Sequence, residues 1–600
     1  MAEKIILKYD NDIAGLEDYS ISISDGAVVI SARGDSGILY GVFELLRNIA
    51  IGKTPEESCG YECPSNPIRM LDHWDNMTGD IERGYSGRSF FFNDNDIIVD
   101  DRTEEYARII ASVGINASCI NNVNVRGCAS YLITDRYIDK VAEISKIFSS
   151  WGIKLFLSLN FASPIELGGL DNCDPLEPDV TKWWSEKIAE VYKKIPDLGG
   201  FLVKADSEGR PGPFTYGRTQ ADGANMLARA VKPYGGIIIW RCFVYNCTQD
   251  WRDTKTDRAC ASYNNFIDTD GDYEDNVILQ IKNGPMDFQI REPVSPLLGG
   301  LRKTDQMLEV QIAQEYTGQQ IDVCYLIPMF KEILEFSTCN GTDKDKIKEI
   351  VAGRTFNRKH GGMCAVANTG DDPNWTGNDL AAANLYGFGR LSFDTELSSE
   401  QIAREWTTLT YGRDRQVQET IVKILLMSRE TYEKYTSPLG IGWMVTPNTH
   451  YGPSIDGYEY DRWGTYHRAD HAAIGVDRTE RGTGFTLQYQ GKNAAMYSDL
   501  GSCPEELVLF FHRLPYTYRL KCGKTLIQYI YDSHFEGYDD VEKMMRSFND
   551  IKHSLPVDAA ERISERFGRQ LANAREWRDQ VNSYFYRKTG IPDEKGRKIY

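Results

Sequence analysis

Three acidic side chains stand where short apolar runs give way to polar loops: Glu208, Asp287 and Glu315. If the runs are parallel strands, their carboxyl ends gather these acids at one edge of the fold. A pair of carboxyl groups can cleave a glycosidic bond, because one protonates the leaving oxygen and the other activates water; in inverting enzymes the two stand roughly 6.5–9.5 Å apart. The ordinary alternative is that they form surface salt bridges, since the chain has 87 Asp plus Glu.

Basic and aromatic side chains accompany the acids. Lys204, Arg241 and Lys282 lie at the ends of the same apolar runs. Three neighbouring cations in an acidic chain favour a carboxylate or phosphate ligand, which Arg can bind through two parallel N–H bonds. They can equally neutralise the nearby acids as structural pairs. Trp74 and Trp463 can stack against a sugar ring and form the floor of its binding site, although a lone Trp more often packs in a core.

The elements that must position these groups alternate between strand and helix from about residue 68 to 398. Runs such as 236–240, Gly-Ile-Ile-Ile-Trp, are apolar on both faces, as buried parallel strands require. This alternation predicts an α/β fold, a (β/α)₈ TIM barrel, whose active site lies at the carboxyl ends of the strands. The eight predicted strands are Arg69–Trp74, Ala117–Asn121, Lys154–Asn160, Gly199–Ala205, Gly236–Arg241, Val277–Lys282, Leu308–Gln314 and Gly362–Ala367.

The barrel is flanked by two different regions. A hairpin, Tyr19–Ile23 and Ala27–Ser31 across Asp25-Gly26, and a helix over about 36–49 predict a small N-terminal α/β domain at 1–64. The barrel domain then covers 65–398, with a linker near 62–67, and a mainly α-helical C-terminal domain covers 399–600. Its predicted helices, interrupted by an aromatic-rich loop at His450–His467, are Gln401–Thr410, Asp414–Tyr432, Pro504–His512, Asp539–Ile551 and Ala559–Tyr584.

Composition limits the classes of partner. The net charge of −19 repels nucleic acid and anionic membranes, although a local basic pocket can still bind a small acidic substrate. The 13 Cys show neither a disulfide framework nor zinc-ligand spacing, and no cofactor motif is present, so we expect no metal or cofactor. No apolar stretch approaches 18 residues and no signal peptide is recognisable, which predicts a cytoplasmic protein.

Long peculiar strings around the candidate residues carry a family resemblance. Over roughly residues 66 to 590 the sequence resembles the alpha-glucuronidases of glycoside hydrolase family 67. The matching strings are LDHWDNMTGDIERGYSGRS (71–89), LSLNFASPIELGGL (157–170), GGFLVKADSEGRPGPFTYGRTQADGANMLARA (199–230), WRCFVYNCTQDWRDTKTDRA (240–259), IKNGPMDFQIREPVSPL (281–297), NTGDDPNWTGNDLAAANLYGFGRL (368–391) and HYGPSIDGYEYDRWGTYHRAD (450–470).

The resemblance implies an inverting hydrolase of small acidic oligosaccharides, the aldouronic acids. It would release glucuronic or 4-O-methylglucuronic acid from its α-1,2 bond to the non-reducing terminal xylose of xylooligosaccharides. By motif position the general acid falls on Glu208 of KADSEGRPG, and the base falls on Asp287 of KNGPMDF or Glu315 of AQEYTGQQ. The uronate-binding cations fall on Lys204, Arg241 and Lys282, and the aromatic contacts on Trp74 and Trp463.

The resemblance also bears on the N-terminal domain and on assembly. Family members usually carry a larger N-terminal domain, whereas about 64 residues precede the barrel here, and they commonly form homodimers through the C-terminal domain. Two other functions fit the same residues: a non-catalytic uronate-binding protein that kept the barrel, and a barrel hydrolase acting on an unrelated acidic glycan. Release of free uronate from aldouronic acids, compared with other uronides, separates them.

Overall fold

The structure, a computed structural model, describes residues 4–84, 86–207, 209–243, 257–367, 369–457 and 466–600. Two of the predicted site residues, Glu208 and Trp463, lie outside the described residues.

A four-stranded sheet and one helix form the N-terminal region. Its strands are β1 (Lys4–Tyr9), β2 (Tyr19–Ser24), β3 (Ala27–Ala32) and β4 (Gly60–Glu62), in the order β1-β3-β2-β4, and the helix is α1 (Asp35–Ile51). The predicted hairpin of β2 and β3 is confirmed. Its turn places Asp25 at φ 49° and Gly26 at φ 75°, the backbone that a two-residue hairpin turn requires. The sequence did not predict β1, which pairs parallel to β3, or β4.

Eight parallel strands close into a barrel, as predicted. They are β5 (Ile68–His73), β6 (Ala117–Ile120), β7 (Lys154–Leu159), β8 (Gly200–Val203), β9 (Ile237–Arg241), β10 (Val277–Lys282), β11 (Asp305–Gln311) and β12 (Gly362–Ala367). The last strand pairs with the first, from Gly362 beside Ile68 to Ala367 beside His73, which closes the barrel. All carboxyl ends therefore meet at one mouth.

The bounds predicted for the seventh strand were wrong. The strand β11 begins and ends three residues earlier than the predicted Leu308–Gln314. The strand contains three buried polar residues, Asp305, Gln306 and Glu309. It was not recognised in full because a fully buried strand is expected to be apolar. As a consequence Glu315 is not at the strand end, as predicted, but four residues beyond it.

Helices on the outside of the barrel follow its strands. Their bounds are α2 (Asp101–Ser112), α3 (Ile138–Ser150), α4 (Ser163–Glu166), α5 (Pro178–Lys194), α6 (Gln220–Val231), α7 (Ala261–Phe266), α8 (Ile327–Glu335), α9 (Ile347–Val351) and α10 (Ala382–Phe393). The helices α2, α3, α5 and α6 each bury an apolar stripe against the barrel, and such stripes orient amphipathic helices.

The C-terminal region is mainly helical, as predicted. Its helices are α11 (Ser399–Tyr411), α12 (Arg415–Tyr435), α13 (Gly491–Ser498), α14 (Val508–Phe511), α15 (Leu526–Ile551) and α16 (Val557–Thr589). The long helix α15 packs against both α12 and α16. The predicted helix Pro504–His512 was too long, since only its last turn, α14, is α-helical and a 3₁₀ turn precedes it. Among the described residues no helix has the length and apolar character needed to cross a membrane.

Candidate active site

Four cations surround one aromatic ring at the barrel mouth. The ring centre of Phe243, two residues beyond β9, lies 5.2 Å from Lys204 Nζ and 3.5 Å from Lys282 Nζ. The guanidinium carbons of Arg241 and Arg258 lie 5.3 and 5.6 Å from it. The three predicted cations, which come from strands β8, β9 and β10 or the residue after them, are therefore brought together. Such a concentration of buried positive charge suits an anionic ligand.

Arg241 is held from inside the barrel by Glu309 of β11. Arg241 Nε donates to both carboxylate oxygens at 2.9 and 3.0 Å, and Nη2 lies 2.7 Å from Oε1. Both side chains are almost completely buried, at 1% and 0% exposure. Burial opposes the charge of Arg241, but the Glu309 carboxylate outweighs it and raises the pKa of Arg241. The guanidinium is thus permanently charged and fixed in place.

Trp74 and Asp72 complete the wall beside Arg241. Trp74 is buried, its ring centre lies 5.3 Å from the Arg241 guanidinium carbon, and its Nε1 donates to Asp72 Oδ2 at 3.3 Å. Burial raises the pKa of Asp72 well above its usual range, and the Glu309 charge adds to that shift. Asp72 therefore holds its proton more tightly than an ordinary carboxyl group, and Glu309 is the carboxyl group that bonds Arg241 directly.

Asp287 is buried among positive charges. It forms a close ion pair with Lys282, and Arg258 Nη2 lies 3.3 Å from its Oδ2. The Tyr316 hydroxyl donates to the same oxygen at 3.3 Å. Burial alone raises the pKa of a carboxyl group, but Lys282 and Arg258 outweigh it and lower the pKa of Asp287 to about 2. Asp287 is ionised throughout the neutral range.

Glu315 is held at both oxygens, and it is buried like Asp287. Its Oε1 lies 2.9 Å from His450 Nδ1 and 2.9 Å from Arg83 Nε, while Gln311 Nε2 donates to Oε2 at 3.0 Å. Burial raises the pKa of Glu315, as does the charge of Asp287. The hydrogen bond from His450 and the charge of Arg83 lower the pKa by more than these two effects raise it, so the pKa of Glu315 lies below its ordinary value. This carboxyl group is also ionised at neutral pH.

Tyr316 joins the two carboxylates. Its hydroxyl bonds Asp287, and its ring stacks on His450 with centres 4.6 Å apart. His450 in turn contacts Glu315. Asp287 and Glu315 are therefore neighbours in one buried site, close enough for one charge to affect the pKa of the other. Two ionised carboxylates side by side are suited to hold and deprotonate a water molecule, not to donate a proton.

An open cleft of about 760 Å³ adjoins Glu315. Arg83 and His450, which contact Glu315, form part of its wall, and so does Asn124, whose amide oxygen accepts from Lys204 Nζ at 2.8 Å. The remaining wall carries amide and hydroxyl side chains, namely Asn76, Thr78, Asn95, Asn122 and Asn448, together with the charged or acidic side chains Asp75, Glu82 and Arg126. A cleft with so many hydrogen-bond donors and acceptors suits a polyhydroxylated ligand.

Sequence reasoning missed several residues of this site. Glu309 was missed because β11 was misplaced. Arg83, on a loop, and Arg258, at the start of a 3₁₀ turn, were missed because both lie away from the predicted strand ends. His450 is the first residue of the aromatic-rich loop that the sequence analysis identified. The unusual composition of that loop pointed to the segment, but it did not indicate that His450 contacts Glu315. Within the described residues no group of three or more His, Cys, Asp or Glu is arranged to hold a metal ion.

Comparison with known families covers almost the whole chain. Residues 49–375 match the profile described as the glycosyl hydrolase family 67 middle domain, and residues 376–598 match that of the family 67 C-terminus. Alpha-glucuronidase A of Emericella nidulans is 43% identical over 594 residues, which cover 97% of this chain and 69% of that protein. Probable alpha-glucuronidase A of Aspergillus flavus is 42% identical over 586 residues, with the same shares covered.

A solved structure supports the architecture alone. A GH138 enzyme targeting pectin rhamnogalacturonan II superimposes with a TM-score of 0.53 at 14% identity, over 97% of this chain and 64% of that one. The sequence matches go further, and they confirm the predicted resemblance to the alpha-glucuronidases of family 67. The chain therefore belongs to glycosyl hydrolase family 67 and is a glycoside hydrolase.

Proposed function

We propose that this hydrolase cleaves, with inversion, the α-1,2 bond between glucuronic or 4-O-methylglucuronic acid and the non-reducing terminal xylose of xylooligosaccharides. Relatives named alpha-glucuronidase A support the class of reaction. The observation that carries the proposal is the cluster of Lys204, Arg241 and Lys282 around Phe243, directly beside the ionised pair of Asp287 and Glu315. A sugar with a carboxylate fits a site built this way.

The uronate is bound by the three cations, and each contributes a charge-assisted hydrogen bond. Glu309 keeps Arg241 charged and oriented before substrate arrives, so little reorganisation is needed on binding. Trp74 lies against Arg241 and forms one wall for the ring. The bond to be cleaved is then placed over the water that Asp287 and Glu315 hold.

Hydrolysis then proceeds in one displacement. Asp287 and Glu315 orient the water, and one of them takes its proton as the water oxygen bonds to the anomeric carbon. The bridging oxygen leaves and takes a proton from an acid. Because Asp287 and Glu315 are both ionised, the acid must be a third group, and the motif position assigns Glu208. Displacement from the opposite face releases β-glucuronic acid.

The open cleft beside Glu315 takes the xylose residues. Xylose carries many hydroxyls, which can bond the Asn and Thr side chains and the Asp75, Glu82 and Arg126 groups of the cleft wall. Asn124 and His450 are shared between this cleft and the charged site, so the cleft begins where the uronate site ends.

Incubation with short aldouronic acids tests the proposal. We expect free uronic acid, and proton NMR during the first turnovers should show the β-anomer before mutarotation. Xylooligosaccharides with uronic acid on an internal xylose should react slowly. Absence of release, or appearance of the α-anomer first, contradicts the proposal. Two predictions from the sequence, the homodimer and the cytoplasmic location, stay predictions, and size-exclusion chromatography checks the first.

A further inference from the structure

One partner of Glu315 comes from outside the barrel. His450 lies in the segment that follows α12 of the helical C-terminal region, and its ring is buried against Glu315. An ionised carboxylate can only accept hydrogen bonds, so the 2.9 Å contact requires the proton to be on His450 Nδ1. The C-terminal region therefore supplies a donor to a barrel carboxylate.

The backbone around His450 is strained and tightly fixed. Asn448 and His450 have φ of 68° and 53°, in the left-handed region that non-glycine residues rarely adopt. Arg83 Nη1 donates to the Asn448 carbonyl at 2.7 Å, and the His450 N–H donates to the Thr446 carbonyl at 2.8 Å. Strain of this kind persists where the surroundings over-determine it, and it clusters at functional sites.

A buried carboxyl group anchors this segment to the helices. Asp322, in the loop after β11, accepts from the Tyr451 hydroxyl at 2.9 Å. It also accepts from Tyr435 of α12 and Asn573 of α16, each at 2.7 Å. Tyr451 is the neighbour of His450, so two C-terminal helices fix the position of the histidine through Asp322.

Among the described residues the two carboxylates differ in what holds them. Asp287 pairs there with two full cations, Lys282 and Arg258, which stabilise its charge so strongly that it is a weak proton acceptor. Within the same part of the chain Glu315 pairs with the cation Arg83, which also faces Glu82 at 3.6 Å, and with the His450 donor. The further described groups that face Glu315 are Gln311, Tyr316 and the Asp287 charge, which favours proton uptake by Glu315.

We propose that Glu315 is the base and that His450 is its positioning residue: the Nδ1–H of His450 keeps the Glu315 carboxylate ionised and oriented toward the water. This inference rests on the hydrolytic function proposed above and deepens it. The proton that Glu315 takes leaves the attacking water as the oxygen bonds to the anomeric carbon. His450 donates a hydrogen bond before this step and is not itself consumed.

Replacement of His450 tests the inference, with wild-type activity on an aldotriouronic acid as the separate test of the function. In His450→Ala the donor is lost, so we expect kcat to fall by about 10²-fold with KM little changed. The pKa of Glu315 should rise, which moves the acid limb of kcat/KM upward by about one pH unit. His450→Asn places an amide N–H near the position of Nδ1, so its activity and acid limb should stay close to those of wild type.

His450→Gln is the matched control, because its amide is one methylene further out and cannot replace Nδ1–H; it should resemble His450→Ala. Circular dichroism and the melting temperature report whether each variant folds. An unmoved acid limb in both defective variants, or an Asn variant as impaired as the Ala variant, overturns the inference. Inactive wild type overturns the proposed function instead.

Discussion

Replacing Glu309 by Gln removes the negative partner of Arg241 without changing the size of the side chain. Arg241 then stays buried with its charge unpaired. Breaking a buried ion pair in this way costs about 3–5 kcal/mol. We expect the lower end, because the Glu309 charge is one cause of the raised pKa of Asp72, so its removal makes it easier for Asp72 to ionise beside Arg241. Glu309→Gln should therefore lower the free energy of unfolding by about 3 kcal/mol.

Further variants separate charge burial from binding. Adding Asp72→Asn to Glu309→Gln removes the substitute anion, so the loss should approach about 5 kcal/mol. Replacing Arg241 and Glu309 together by Met removes both charges and should restore most of the stability, yet abolish glucuronate binding. The surface pair Arg415–Glu419, at 89% and 56% exposure, is the control, and Glu419→Gln should leave stability unchanged.

Urea denaturation followed by fluorescence measures the stability of these variants, and calorimetry measures glucuronate binding. Glu309→Gln should weaken glucuronate binding at least tenfold, or about 1.4 kcal/mol, because Arg241 loses its orientation. If the Glu309→Gln variant is as stable as wild type, then Glu309 does not stabilise the buried charge of Arg241, and this reasoning is refuted. A double Met variant that still binds glucuronate normally would also refute it, since Arg241 would then not contact the uronate.

Three other predictions concern neighbouring groups. Burial raises the pKa of Asp75 to about 7, so the folded chain retains a proton that the unfolded chain loses near pH 4. The free energy of unfolding of wild type should therefore fall relative to that of Asp75→Asn as pH rises from about 4 to 7, by up to about 4 kcal/mol. A difference in unfolding free energy between the two proteins that stays constant over this pH range, measured in urea, would contradict this. Arg258→Met removes one cation that holds the Asp287 carboxylate in place, so kcat should fall by roughly 10–100-fold because Asp287 no longer positions the water, and the pKa of Asp287 should rise; an unchanged kcat would count against this role. Asn124→Ala removes the acceptor of Lys204, so KM should rise by about tenfold at nearly constant kcat, and steady-state kinetics showing the reverse split would exclude this role.

The barrel could be predicted from the sequence because its strands are apolar runs separated by helical spacing. Seven of the eight were placed within two residues of their observed bounds. The exception, β11, carries the buried polar residues Asp305, Gln306 and Glu309. Glu309 is tolerated there only because Arg241, 68 positions earlier in the chain, pairs with it. A partner so distant in sequence leaves no local pattern, so the strand appeared to begin later.

Site residues could likewise be predicted where a local sequence pattern exists, and not where they depend on distant contacts. Residues at strand ends, such as Lys204, Arg241 and Lys282, could be found from one rule about barrels, and the structure brings them together. Arg83 and His450 could not, because they reach Glu315 from a loop and from the C-terminal region. Their positions depend on how the helices α12 and α16 pack, which periodicity does not specify.

Lys204, Arg241 and Lys282 are expected to bind the carboxylate of the sugar that is released. The most direct measurement compares kcat/KM for an aldotriouronic acid with that for the same compound after its uronate is reduced to a primary alcohol. Loss of three charge-assisted contacts, at about 1.5–3 kcal/mol each, predicts a fall of at least about 10³-fold. Equal rates on the two substrates would contradict the account.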